Sequence, residues 1–189
     1  MSRQGSRLMV AAVLVGGAAG CGYNTIQTKD EGVNAAAAQI KTQLQRRADL
    51  VPNLVETVRG FAKQETTVFL RVAEARSRLA GAVQAGDLQQ MAQANAALNA
   101  PLGRLLALVE NYPELKSNQN FLQLQDQLEG TENRISVARQ DYNRAVEDFN
   151  AYIRRFPYNL TAKIIGRSKP REYFELTSPE AGEVPKVRF

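Results

Sequence analysis

Apolar residues in this chain recur at alternating gaps of four and three, and that spacing limits the fold more than any other feature. The first run is Val33, Ala37, Ile40, Leu44, Arg47, Val51, Leu54, Val58, Phe61, Glu65, Val68, Val72, Ala75 and Leu79, in which only Arg47 and Glu65 are not apolar. A second run is Leu88, Met91, Asn95, Leu98, Leu102, Leu105, Val109 and Tyr112. The third is Phe121, Leu124, Leu128, Thr131, Ile135, Ala138, Tyr142, Ala145, Phe149, Tyr152 and Phe156. A repeat averaging about 3.5 residues places one apolar stripe on each helix and suits near-antiparallel packing at a shallow angle. The chain has no Trp and few aromatics, and its Ala, Leu, Gln, Glu and Arg favour helix over sheet. The predicted fold is all-α: an antiparallel up-and-down bundle of long helices.

Helix-ending residues punctuate the stripes. Gly81 and Gly86 are stop signals after the first run, and Asp87 is a natural N-cap for the second. Pro113 stops the second run, ELKSN connects, and Pro157 ends the third. The apolar turn LTAKIIG that follows predicts a short C-terminal helix, and the Pro-, Gly- and charge-rich remainder from Arg167 reads as an extended tail. Pro101 is expected to bend the second helix by removing a hydrogen bond to the Ala97 carbonyl. Pro52 leaves two readings open. A straight run through it makes a first helix of about 50 residues, roughly 75 Å long. A kink or break there, with Asp49 as N-cap, gives four helices of comparable length.

The N-terminus carries an address. MSRQGSR is a cationic lead, LMVAAVLV is an apolar core, and GGAAG precedes the single cysteine, Cys21. The weakly polar stretch from Leu8 to Gly20 is 13 residues, short of the about 20 that a spanning helix needs. The arrangement therefore predicts a cleaved secretory signal over 1–20. Ala18-Ala19-Gly20-Cys21 resembles the bacterial lipobox, although Ala18 stands where Leu is usual. That resemblance implies a lipidated Cys21. The expected division is then a tether over 21–28, a helical bundle over 29–166 and a tail over 167–189. The alternative is ordinary signal cleavage with an incidental thiol. Acyl chains contribute about 0.8 kcal/mol per buried methylene, so a diacylated and N-acylated cysteine is a stable anchor. Gly22 follows the cysteine, and the choice between inner and outer membrane stays open.

Composition removes several kinds of chemistry. With no His and one cysteine, the common transition-metal ligands and the Ser-His and Cys-His nucleophile pairs are missing. No Gly-rich phosphate loop opens a helix. The charge is +5 overall, but 22 basic and 19 acidic residues remain from Cys21 onward, an ordinary surface that gives no warrant for nucleic-acid binding. No catalytic residue, cofactor or metal is assigned.

What remains is a polar cluster. Arg46, Asp49, Asn53 and Glu56 follow one another at 3,4,3 spacing, and Glu132, Asn133, Arg134 and Arg139 crowd the middle of the third segment, with Asn143 and Asn150 further along. Such a set serves either as a polar pocket, in which a carboxylate pair supplies acid and base, or as an inter-helix network fixing register. The second reading is preferred, because a uniform bundle needs a polar key against slippage.

Several blocks carry a family resemblance. QLQRRADLVPNLVETVRGFAKQE, NYPELKSNQNF, LQDQLEGTENRISVARQDYNRAVEDFN and the closing VPKVRF resemble the LemA family in order and spacing, across nearly all of the chain after Cys21. The resemblance implies an all-helical, membrane-associated protein outside the cytoplasm. Two departures stand out: family members commonly have Trp at the position of Ala37, and many use an uncleaved N-terminal membrane helix. The expected role is a lipid-anchored interaction or scaffold module of the bacterial cell envelope, on the periplasmic or cell-surface side, with other envelope proteins as partners and no catalysis. A ligand-sensing bundle is the alternative, and a carboxylate-dependent hydrolase the least favoured.

One further pattern depends on the wiring. Arg154, Arg155, Lys163, Arg167, Lys169 and Arg171 form a basic run with no acidic residue between 154 and 171. It is either a solvated end or a surface facing the anchoring bilayer. Four-helix wiring brings it back to the level of Cys21, and three-helix wiring carries it to the far end.

Overall fold

The computed structural model describes the backbone of residues 3–174 and the side chains of 22–174. Among these the chain is entirely helical outside its turns: α1 (Arg3–Phe61), α2 (Thr66–Ala85), α3 (Leu88–Val109), α4 (Pro113–Lys116), α5 (Gln119–Arg154) and α6 (Tyr158–Ile164). The Cys21 side chain and the tail from residue 175 lie outside the described residues.

The described residues divide into two units, one drawn from residues up to 38 and from 140–173, the other from 39–139 with Phe174. The second unit holds four consecutive long segments: α1 from Gln39, then α2, α3 and the first half of α5. Their apolar stripes supply its core, with Ile40, Leu44, Leu54, Leu79, Leu98, Leu105 and Ile135 all essentially inaccessible. The first unit packs Ile26 and Val33 of α1 with Val146, Phe149 and Ile153 of α5 and Ala162 of α6.

The turns follow the chemistry of their residues. Gly86 ends α2 in the left-handed region at φ +75°, where a side chain would be strained, and its N–H donates to the Ala82 carbonyl at 3.1 Å. Asp87 then caps α3, its Oδ1 accepting from the N–H groups of Gln89 and Gln90 at 2.9 and 3.0 Å. Pro113 occupies the first turn of α4, where its missing donor costs nothing. Gly81 does not act as a stop; it lies inside α2.

The first apolar run breaks, but at residues 62–65 rather than at Pro52. Pro52 sits on the exposed face of an unbroken α1. Its missing N–H frees the carbonyl four residues earlier, and that carbonyl, Ala48 O, instead accepts from Arg76 Nε of α2 at 3.0 Å. The helix therefore continues, with its orphan acceptor satisfied from a neighbour. The 62–65 turn follows Gly60, and there the buried set slips by one position. Ala62 and Phe69 are buried, whereas the stripe residues Phe61 and Val68 are not. Residues 22–28, expected as a tether, belong to α1, and Ile26 among them is completely buried. Beyond α6, residues 167–174 run without regular structure.

Candidate functional site

The polar centre of the second unit is Arg47, which the apolar spacing places on the buried stripe of α1. Its residue is only 6% exposed. One terminal nitrogen donates to Asn95 Oδ1 at 2.6 Å and lies 2.7 Å from Glu132 Oε2, and the other donates to Asn99 Oδ1 at 2.8 Å. One planar guanidinium thus joins α1 to α3 and to α5, using the fork geometry that makes Arg suited to buried pairing. Burial pushes the Arg47 guanidinium below its ordinary pKa, and Glu132 opposes this only in part. Its Nε is buried with no hydrogen-bond partner among the described residues. Such a group is costly in any other helix register, because each alternative leaves a buried charge unpaired.

Arg76 adds the remaining tie. Besides its bond to Ala48 O it approaches Asp49 Oδ1 at 3.9 Å, so α2 is fastened to α1 as α3 and α5 are. At the far end of the described chain Arg139 places its guanidinium 5.3 Å from the centre of the Phe174 ring, within cation–π range.

The first unit has its own polar centre, Asp30, whose side chain is 4% exposed. Asp30 Oδ1 accepts from Arg171 Nε and its terminal nitrogen at 3.0 and 2.7 Å, and Oδ2 lies 2.9 Å from Arg167. Asn150 reads the backbone of Arg171 on both sides: its Oδ1 accepts from Arg171 N at 2.8 Å and its Nδ2 donates to Arg171 O at 2.9 Å. The Tyr142 hydroxyl donates to the Glu172 carbonyl at 2.9 Å. Residues 167–172 are therefore strapped to α1 and α5 through Arg167, Arg171 and the Glu172 carbonyl.

Against this geometry the sequence-predicted cluster separates. Glu132 joins Arg47, and Arg139 meets Phe174. Arg46, Asn53, Asn133 and Arg134 are exposed on their helices. Asp49 accepts from Gln45 Nε2 at 2.8 Å and Glu56 pairs with Arg59 at 3.0 Å, both at the surface. Asn143 is half-buried. The structure does not bring the nine together around a cavity. The residues that matter most, Arg47, Asn95 and Asp30, were the polar members of otherwise apolar stripes: Arg47 and Asn95 stand in the spacing itself, and Asp30 extends it N-terminally with Ile26. A polar residue on the stripe was the available signal.

Two open depressions exist on the second unit. One of about 290 Å³ lies between α2 and α3 and is lined by Arg71, Glu74, Arg78, Pro101 and Arg104. The other, about 650 Å³, is bordered by Glu56, Arg59, Lys63, Phe69 and Leu70. Among the described residues no group of three or more Cys, Asp or Glu is placed to hold a metal ion, and no helix is long and apolar enough to cross a membrane.

The profile of the LemA family matches residues 36–189. The chain belongs to the LemA family. Its similarity reaches a magnetosome protein, MamQ 1, of Paramagnetospirillum magneticum, at 30% identity over 188 aligned positions, covering 87% of this chain and 68% of the relative. The MamQ of Magnetospirillum gryphiswaldense is 27% identical over the same shares, and the LemA protein of Metamycoplasma hominis is 21% identical across 87% of this chain and 71% of its own length. For this LemA-family chain the match spans the whole four-segment unit that Arg47 ties together.

Proposed function

We propose that this LemA-family protein is a scaffold of the bacterial cell envelope, held to a membrane on its extracytoplasmic side through a lipidated Cys21 and working by contact with other proteins rather than by catalysis. The observation that carries this reading is the use made of the polar residues. Arg47, Glu132, Asn95, Arg76 and Asp30 are spent on joining helices. The acids that the sequence offered for acid–base work each face a base or the solvent. Rigid helices with fixed register and varied exposed faces suit recognition of partners. Relatives named as magnetosome proteins agree with a place in a bacterial structure.

Two measurements test the two halves of the proposal. Cells fed a fatty-acid analogue are expected to label the wild-type chain and not Cys21→Ser; equal labelling of both removes the lipid tether. Crosslinking in intact envelopes is expected to capture the same protein partners reproducibly, and their absence removes the scaffold reading. A second reading, a sensor of a small anion, has one observation in its favour, the three arginines around the α2–α3 groove. Saturable binding of inorganic phosphate that is lost in Arg71→Gln and Arg104→Gln, together with no protein partner, supports it instead.

A further inference from the structure

We infer that α6 and the turn before it form a docking face for an anionic lipid surface, so that the chain lies against the bilayer that anchors it. Four observations in the first unit combine. The helix α6 is fixed by its inner side: Thr161 and Ala162 are buried, and the Tyr158 ring stacks on Tyr152 with centroids 4.4 Å apart. Its outer side is apolar and open, since Leu160 and Ile164, one turn apart, are 51% and 81% exposed, and Phe156 just before the helix is 79% exposed. Three large exposed apolar side chains within nine residues are unusual for a water-facing segment.

Exposed basic residues lie close to these side chains in sequence. Of the six between 154 and 171, Arg167 and Arg171 are committed to Asp30. Arg154, Arg155, Lys163 and Lys169 are exposed and have no acidic partner among the described residues. Apolar side chains set among lysine and arginine are the composition of an interfacial helix lying in the headgroup region. The fourth observation is position. A Cβ on Gly22 would stand 2.7 Å from Tyr158 Cδ1, so α6 packs directly on the residue that follows Cys21 and the apolar run LMVAAVLV. A protein partner for the same face is less suited, because the four basic residues have no acidic partner among the described residues and an anionic bilayer beside residue 21 supplies one.

The inference rests on the membrane tether proposed above, and the test reads the two separately. The chain has no Trp, so Ile164→Trp introduces a single reporter at an exposed site. The full chain is reconstituted with vesicles of phosphatidylcholine alone or with phosphatidylglycerol, their acyl chains brominated near the headgroup. Flotation reports the tether and fluorescence quenching reports the docking. The expected result is co-flotation with both, and strong quenching of Trp only where phosphatidylglycerol is present, weakened by high salt. Neutralising Arg154, Arg155, Lys163 and Lys169 to Gln is expected to lower the ratio of docked to undocked chain roughly five-fold per residue. Val137→Trp, exposed and apart from the basic group, is expected to stay unquenched. Co-flotation with an unquenched reporter at 164, the outcome for a face that serves a protein, overturns the docking and leaves the tether intact. Quenching indifferent to phosphatidylglycerol and to the four substitutions also overturns it. Failure to float overturns the tether and this inference together.

Discussion

Replacing Arg47 separates the worth of a buried polar key from the worth of the helices around it. In Arg47→Met the side-chain volume is largely kept while the charge and its donors go. Asn95, 4% exposed, loses the donor to its Oδ1, and an unsatisfied buried acceptor costs about 1–3 kcal/mol. Asn99 is exposed and turns to water. Glu132 has a side chain 45% exposed, but its Oε2 beside Arg47 is buried, so its loss of a partner adds a cost that the exposed part of the carboxylate limits. Relief of the guanidinium's own desolvation, seen in its lowered pKa, offsets part of the total. The expected net loss for Arg47→Met is therefore about 1–2 kcal/mol. Arg47→Ala also removes the packing of roughly three methylenes, about 0.8 kcal/mol each, and is expected to lose about 3–4 kcal/mol. Pairing Arg47→Met with Asn95→Leu removes both halves of the bond and is expected to return to within about 1 kcal/mol of wild type. Urea unfolding followed by far-UV circular dichroism measures all three, with an unchanged m-value marking an unchanged denatured state. If Arg47→Ala falls within about 0.5 kcal/mol of wild type, as an ordinary surface substitution does, the guanidinium is not the key. If the double variant is as unstable as Arg47→Ala, the Asn95 bond is not what Arg47→Met loses.

Three further perturbations address other joints. Arg76→Leu is expected to cost about 1–2 kcal/mol by orphaning Ala48 O, and far less in a Pro52→Ala background, where residue 52 supplies its own N–H; equal costs in both backgrounds contradict the account of the unbroken helix. Asp30→Asn is expected to cost about 1–3 kcal/mol, below a fully buried pair because Arg167 and Arg171 keep partial hydration, and to speed amide hydrogen exchange at Arg171. Burial pushes the Tyr142 phenol above its ordinary range of about 10, with Arg171 partly opposing. Its share of stability is thus complete below about pH 10 and lost as pH rises through the raised folded value. Alkaline unfolding should accordingly begin from a less stable but flatter baseline in Tyr142→Phe, and identical pH slopes in the two proteins contradict the assignment.

The helices were legible because each carries one apolar stripe of uninterrupted spacing, and Gly86, Asp87, Pro113 and Pro157 mark their ends by local chemistry alone. The turn at 62–65 was not legible. The spacing runs on through Phe61, Glu65 and Val68 as if no turn existed, while the burial moves to Ala62 and Phe69. Pro52 drew attention instead, since its cost is visible in sequence, whereas the Arg76 donor that offsets it belongs to a helix 24 residues away. The predicted cluster chose charged residues beside the stripe, such as Arg46, Asp49 and Asn53, which face solvent. The buried keys were the polar residues on it. Arg46 and Arg47 are adjacent in sequence and on different sides of the helix, so only the register tells them apart.

The division of the chain into a contiguous unit and a split one orders events as it is made. Residues 39–139 supply all the helices of their unit, and these can close as soon as the first half of α5 exists. Residues 22–38 must wait for 140–173, about 100 residues later, and closing so long a loop is slow even though each doubling of length adds only about 0.6 kcal/mol. Ile26 and Asp30 thus remain uncovered through most of synthesis. Until then the N-terminal part of α1 stays open, and it closes only when Asn150 and then Arg171 arrive, Arg171 to hold Asp30 from the other side.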